Sequence, residues 1–325
     1  MKIIVTGCAG FIGSRVCENL IDIGHFVIGI DNLNDAYDIN LKQYRLNTLL
    51  GLDNFTFYKR DITHLESIKE IFNDNSDANA VINLAARAGV RTSIEMPQEY
   101  IKTNILGTVN LLELCKTYNI MKFVQASTSS VYGENKTPFV ENMNTDRALS
   151  PYAASKKGAE NICYSYNQLF GIDITILRYF TVYGPAGRPD MSPFRFIKWI
   201  MEEENLILFG DGNHERDFTF VDDIAEGTVL SLKKVGYEII NLGNDSPLKM
   251  KELISTIEEK TNKDAKVVNK SEQKADVRAT WADITKAKDK LDWKPKYNLD
   301  EGISLSVEWY KNNREFAKNI DISLN

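Results

Sequence analysis

Ile3-Ile4-Val5-Thr6-Gly7-Cys8-Ala9-Gly10-Phe11-Ile12-Gly13 passes from a β-branched run through a glycine turn into a helix-forming segment. That order of strand, turn and helix decides the fold class, because it is the phosphate-binding unit of a doubly wound parallel sheet. Gly7 permits the tight turn, Gly10 lets backbone approach a pyrophosphate, and Gly13 lets the helix pack on the strand. Phe11 and Ile12 open the helix, whose free N–H groups and dipole favour phosphate.

Outward from this unit, residues 26–30 are again β-rich and end at Asp31-Asn32, about twenty residues past the last glycine. A carboxylate there accepts from the adenosine ribose and repels a 2′-phosphate, which favours NAD over NADP. A third strand, residues 55–58, leads to Asp61-Ile62, where Asp61 can meet the adenine amino group. Leu84-Ala85-Ala86 closes a fourth strand and is small enough for the cofactor backbone to pass. Further strand-like runs occupy residues 122–126 and 172–177. Between the runs, residues 11–23, 65–72, 100–118 and 152–170 show helical period. Apolar strands alternating with helices predict a Rossmann-type α/β fold, its parallel sheet covered on both faces.

After Arg178 the pattern changes. Residues 179–188 are rich in Gly and Pro and read as loop. Helix 193–203, strand 206–209, helix 221–233, strand 238–241 and helix 249–261 follow, with tail helices at 284–291 and 299–310. No repeat or long linker separates these from the first part. The expected organisation is a dinucleotide domain over 1–178, joined by about 219–242. A smaller, interleaved C-terminal substrate lobe takes 179–218 and 243–325.

The 325 residues carry a net charge of −6, which argues against a general nucleic-acid binder. No apolar run approaches the roughly eighteen residues a membrane span needs. The start MKIIVTG has no targeting pattern, so a cytoplasmic protein is expected. Cys8, Cys17, Cys115 and Cys163 lack metal-type spacing and read as reduced thiols, so no metal is expected.

Tyr152 and Lys156 stand four apart in a helical pattern and so share a face. A cationic Lys beside a phenol favours the phenolate and draws its pKa toward working pH, as a general base requires. Ser127-Thr128-Ser129-Ser130 ends the preceding strand, and a strand's carboxyl end is where an open parallel sheet places ligands.

Gly7/Gly10/Gly13, the hydroxyl cluster followed by Val131-Tyr132-Gly133, and Tyr152/Lys156 together resemble the extended short-chain dehydrogenase/reductase family of NAD-dependent nucleotide-sugar epimerases and dehydratases. The resemblance covers nearly the whole chain. It implies Tyr152 as base, Lys156 as its partner and nicotinamide-ribose ligand, and Thr128 as hydrogen-bonding partner of the reacting hydroxyl. It further implies Arg216 on the diphosphate, Asp276 on the uridine, and a homodimer through helices 100–118 and 152–170.

Within the family, 4,6-dehydratases carry an Asp-Glu pair where this chain has Ser129-Ser130, so dehydration is not expected. Thr181–Pro185 with Arg188, and Leu84–Ala86 followed by Ala88-Gly89-Val90-Arg91, resemble UDP-glucuronate 4-epimerases. Ser129, Ser130 and Thr181 offer donors, and Arg188 a charge, for a carboxylate on carbon 5 of the sugar. Epimerisation of UDP-glucuronate at carbon 4 is therefore the expected activity. A UDP-glucose 4-epimerase and a UDP-glucuronate decarboxylase are the alternatives, with a non-catalytic NAD-binding redox sensor more remote.

Overall fold

In the computed structural model, which describes residues 1–271 and 277–322, the first part of the chain alternates strand and helix. It runs β1 (Lys2–Thr6), α1 (Phe11–Asp22), β2 (Phe26–Asp31), α2 (Ile39–Leu50), β3 (Phe55–Lys59), α3 (Leu65–Asp74) and β4 (Ala80–Asn83). Short helices α4 (Val90–Glu95) and α5 (Pro97–Ile101) lead through a π-helical turn (Lys102–Leu106) into α6 (Gly107–Thr117). Then come β5 (Lys122–Thr128), a 3₁₀ turn (Ser129–Tyr132), α7 (Pro151–Phe170) and β6 (Asp173–Tyr179). The remainder holds β7 (Thr181–Tyr183), α8 (Ser192–Met201), β8 (Asn205–Phe209), β9 (Glu215–Phe220), α9 (Val221–Leu230) and β10 (Tyr237–Leu242). It ends with β11 (Pro247–Lys249), α10 (Met250–Thr261), β12 (Lys266–Lys270), α11 (Thr285–Leu291), α12 (Leu299–Asn312) and α13 (Arg314–Ala317).

Seven strands form one sheet in the order β10-β6-β5-β4-β1-β2-β3, each neighbour parallel. Successive residues of β1 face opposite ways. Ile3 and Val5 pack with Val16, Cys17 and Leu20 of α1, whereas Ile4 packs with Phe72, Leu111 and Cys163 on the other side. Both faces are thus covered, which is why the strands read as continuous apolar runs. Strand order reverses between β1 and β4, and the crevice beyond their carboxyl ends is where such sheets bind ligands.

The rest folds over that edge as β11-β9-β7 and β12-β8 backed by α8, α10 and α12, with Phe196, Phe218, Leu253 and Val307 in the core. In β9 the buried Asp217 carboxylate accepts from the N–H groups of Asn244 at 2.6 Å and Ala282 at 2.9 Å, fastening two later segments to the strand. Burial pushes its carboxyl up to about 6 despite those bonds.

Several elements differ from the sequence reading. Helix 100–118 is broken by the π-helical turn, in which Asn104 bonds both the N–H and the carbonyl of Arg87 at 2.9 Å. The Gly/Pro-rich stretch contains β7, which pairs with the distant β9. Helix α2 does not stand out in the sequence, because its buried side carries Lys42 and Arg45.

A buried ion pair sets α7 against the sheet. Arg178, near the end of β6, donates to Glu160 of α7 through Nε at 2.9 Å and Nη2 at 2.8 Å, with both side chains about 1% exposed. Ser127 of β5 donates to the same carboxylate at 2.6 Å, and the guanidinium lies 4.8 Å from the Tyr132 ring centre. Burial alone would raise the Glu160 carboxyl; Arg178, Ser127 and Lys157 outweigh it and hold it below its ordinary value. Glu160→Gln leaves the Arg178 charge uncompensated and should lower stability by about 3–5 kcal/mol. Glu238→Gln, at a half-buried carboxylate shared by the more exposed Lys286 and Lys290, should change it by only about 1 kcal/mol. Urea unfolding of the two variants checks this, and losses of equal size would remove the structural weight given to the pair.

Candidate active site

The glycine turn is contracted around one carbonyl. Gly7 has φ +71°, in the left-handed region, and a Cβ there would lie 2.7 Å from Ala85 N. A Cβ on Gly10 would come within 2.9 Å of the Gly7 carbonyl oxygen, and one on Gly13 within 2.0 Å. Glycine at each position is therefore a packing requirement of the turn itself, before any ligand is considered. Phe11 then begins α1 with no acidic residue in the first turn, leaving its N–H groups to an anion.

Asp31 buckles the turn to the end of β2. Its Oδ2 accepts from Ala9 N at 3.1 Å and its Oδ1 from Leu33 N at 2.8 Å. Asn32 donates to Asp61 at 2.8 Å. Burial works against the Asp61 charge, yet bonds from Thr63 and Asn32 hold its carboxyl below the usual range.

An inner cleft of about 360 Å³ is lined by Gly7, Gly10, Phe11, Ile12, Gly13, Asp31, Asn32, Asp61, Ile62, Leu84, Ala85 and Ala86. Its far end carries Thr128, Ser129, Ser130, Tyr152, Lys156, Thr181 and Arg188. An outer cleft of about 840 Å³ includes Arg91 and Arg216 and shares Ser129, Ser130 and Thr181 with the inner one. The two clefts meet along those three hydroxyls and along Ala36, Tyr37, Ala88, Gly89, Val90 and Met191. Asp276 lies outside the described residues.

At the junction, Thr128 caps the 3₁₀ turn, accepting from Ser130 N at 3.2 Å and donating to Ser130 Oγ at 3.2 Å. Lys156, only 3% exposed, donates through Nζ to the Ala126 carbonyl at 2.9 Å. Burial draws its ammonium down to about 8, with Glu160 one turn on opposing the fall. Burial pushes the Tyr152 phenol up, and the groups that oppose it are the Thr128 hydroxyl and Arg188. Tyr100 packs edge-on against Tyr152, ring centres 6.1 Å apart, and anchors itself on the Ala88 carbonyl.

Arg188 is bidentate on Asp190, with Nε 3.0 Å from Oδ1. Its charge therefore reaches the cleft already shared with a carboxylate. Arg91 lies with its guanidinium 4.6 Å from the Phe209 ring centre. Arg216 donates to the Glu215 carbonyl at 2.8 Å.

The sequence reading missed three cleft residues. Lys42, on α2, lines the inner cleft near Asp31, and burial brings its ammonium down to about 8. Tyr37 lies beneath it, 4.9 Å from Nζ to the ring centre. Arg195, on α8, lines the outer cleft at 6% exposure, and its Nε has no hydrogen-bond partner among the described residues. Burial, then the neighbouring Arg91, lowers it to about 10. An arginine inside the apolar run Phe194–Met201 was the available signal.

The donors at the α1 N-terminus, the Asp31 carboxylate at the strand end and the small Ala85-Ala86 wall suit a dinucleotide, and the cations of the outer cleft suit a diphosphate. A family model described as GDP-mannose 4,6 dehydratase matches residues 4–305. The chain is 54% identical, over 98% of its length and 99% of the relative's, to a UDP-glucuronate 4-epimerase of Thermodesulfobacterium geofontis. Among solved structures, UDP-glucuronic acid 4-epimerase from Bacillus cereus in complex with UDP-glucuronic acid and NAD superposes with a TM-score of 0.89 at 38% identity, covering 96% of this chain and 99% of that one. UDP-glucose 4-epimerase with UDP-glucose from Thermotoga maritima gives a TM-score of 0.87 at 35% identity, covering 97% and 100%. With most of its length matched and its dinucleotide turn and Tyr152/Lys156 pair in one cleft, the chain belongs to the GDP-mannose 4,6 dehydratase family of extended short-chain dehydrogenases/reductases.

Proposed function

We propose that this chain is an NAD-dependent epimerase acting at carbon 4 of a UDP-sugar, interconverting UDP-glucuronate and UDP-galacturonate. The observation that carries the reading is the junction of the clefts, where Tyr152 and Thr128 share a wall with Ser129, Ser130, Thr181 and Arg188. The likeness to a relative crystallised with both UDP-glucuronic acid and NAD supports it.

Tyr152 takes the proton of the carbon 4 hydroxyl, which the Thr128 hydroxyl aligns. Lys156 supplies the positive charge that favours the phenolate. NAD, when bound, supplies a reversible hydride acceptor. Between the two hydride steps the keto-sugar must turn over while its diphosphate stays held, a task that suits the cations of the outer cleft, Arg91, Arg195 and Arg216.

The 4-keto sugar acid is a β-keto acid and loses carbon dioxide once its carboxylate stands perpendicular to the ketone. Donors from Ser129, Ser130 and Thr181, with Arg188, hold the carboxylate away from that orientation. Hydroxyls at 129 and 130 cannot shuttle a proton as the carboxyl pair of a 4,6-dehydratase does, so the family description does not carry its reaction to this chain. A second copy packed on α6 and α7 belongs to the proposal, since Leu106, just before α6, and Tyr164 and Leu169 of α7 leave apolar surface exposed there. Among the described residues no helix is long and apolar enough to cross a membrane, which suits a cytoplasmic enzyme.

Tyr152→Phe should lower turnover by roughly a hundredfold or more while NAD remains in the purified protein. Steady-state kinetics and assay of the denatured supernatant read both quantities, and near-normal turnover would remove Tyr152 as the base.

Arg188→Ala should weaken use of UDP-glucuronate by about tenfold, the low end for a charged hydrogen bond because Asp190 shares the guanidinium. UDP-glucose, with a neutral group at carbon 5, should lose much less. Kinetics on both sugars decide the point. Equal losses would reassign Arg188 to the diphosphate or to the loop, and a pentose nucleotide as chief product of the unaltered enzyme would place it with the decarboxylases.

A further inference from the structure

Arg45 lies on the buried side of α2, and its guanidinium spans from the dinucleotide turn to the loop that carries Arg188. Nε and Nη2 donate to the Ala186 carbonyl at 3.0 and 2.7 Å, and Nη2 also reaches the Gly187 carbonyl at 3.1 Å. Nη1 donates to the Tyr37 hydroxyl at 2.7 Å and to the Ala9 carbonyl of the glycine turn at 3.5 Å. The guanidinium carbon stands 5.6 Å from the Phe11 ring centre and 5.5 Å from that of Tyr37.

Phe11 and Tyr37 are walls of the inner cleft, and Arg188, which follows Gly187, lines its far end. The loop that carries Arg188 is strained in its observed form, because Ala186 holds φ +51°, a conformation that L side chains rarely adopt. Taking a guanidinium out of water is expensive. Here its hydrogen bonds fix the two carbonyls that precede Arg188 and one aromatic wall of the cofactor cleft. A planar fork can serve these acceptors together, and a lysine point charge cannot.

We propose that Arg45 is a positioning residue that couples the cofactor cleft to Arg188. A dinucleotide settling against Phe11 and Tyr37 fixes the guanidinium, which fixes Ala186 and Gly187 and so presents Arg188 to the sugar. The inference rests on the assignment of the inner cleft to NAD and of Arg188 to the sugar end. It adds a link between the two that neither assignment contains.

A double-mutant cycle read by binding tests it. In a Tyr152→Phe background, which holds substrate without turning it over, titration calorimetry gives the Kd of UDP-glucuronate for Arg45→Ala, Arg188→Ala and the pair. Each single change should weaken binding by about tenfold, and the pair by about the same tenfold, because residues that act through one another are not additive. NAD recovered on denaturation should fall in Arg45→Ala and stay unchanged in Arg188→Ala. Arg45→Lys keeps the charge without the fork; it should melt near the parent and still show the coupling, so the cycle stands on it if the alanine variant does not fold. A full hundredfold loss in the pair would overturn the proposal. Should Arg188→Ala weaken UDP-glucose and UDP-glucuronate alike, the carboxylate assignment fails, while the size of the coupling still decides Arg45.

Discussion

Helix α7 can present Tyr152 and Lys156 only if its height against the sheet is fixed, and the buried contact between Arg178 and Glu160 fixes it. The carboxylate receives Arg178 from β6 and Ser127 from β5, so one group on the helix is tied to two adjacent strands. One turn earlier on the same helix, Lys156 reaches the Ala126 carbonyl of β5. The ammonium would be hard to keep charged at that depth, and Glu160 opposes the loss of its proton. Structure and chemistry thus draw on the same carboxylate. A shift of the helix that broke the pair would strand two buried charges and move the phenol away from Thr128.

The opposite side of the cleft is governed by backbone rather than charge. Gly10 and Gly13 close on the Gly7 carbonyl, and Asp31 holds Ala9 N from the end of β2. Around the junction of the clefts cations stand beside carboxylates, Arg87 near Asp35 and Arg188 on Asp190. Ser129 and Ser130 bring neutral donors to that junction in place of carboxyls, which biases it toward holding an anion and away from proton shuttling.

Much of this was legible in the sequence because it depends on local order. The glycine turn, the apolar strands, the hydroxyl cluster and the Tyr152/Lys156 spacing are each contiguous or one helical turn apart. What escaped depends on distant partners. Helix α2 buries Lys42 and Arg45 beside Leu41, Leu46 and Leu49, because its inner side faces a cleft, and those charges broke the periodic pattern. Strand β7 is three residues long and exists through its pairing with β9. The π-helical turn shifts the phase of a helix that reads as continuous, and the Asn104 contact with Arg87 that accompanies it joins separate segments.

The central claim is that one hydride leaves carbon 4 and returns to the same atom from the other side without entering water. UDP-glucuronate carrying deuterium at carbon 4, incubated with the purified protein in ordinary water and followed by mass spectrometry and NMR, tests it directly. The account predicts UDP-galacturonate that retains the deuterium at carbon 4, with no deuterium released to solvent. Loss of the label to water, or a labelled pentose nucleotide in place of the epimer, would contradict it.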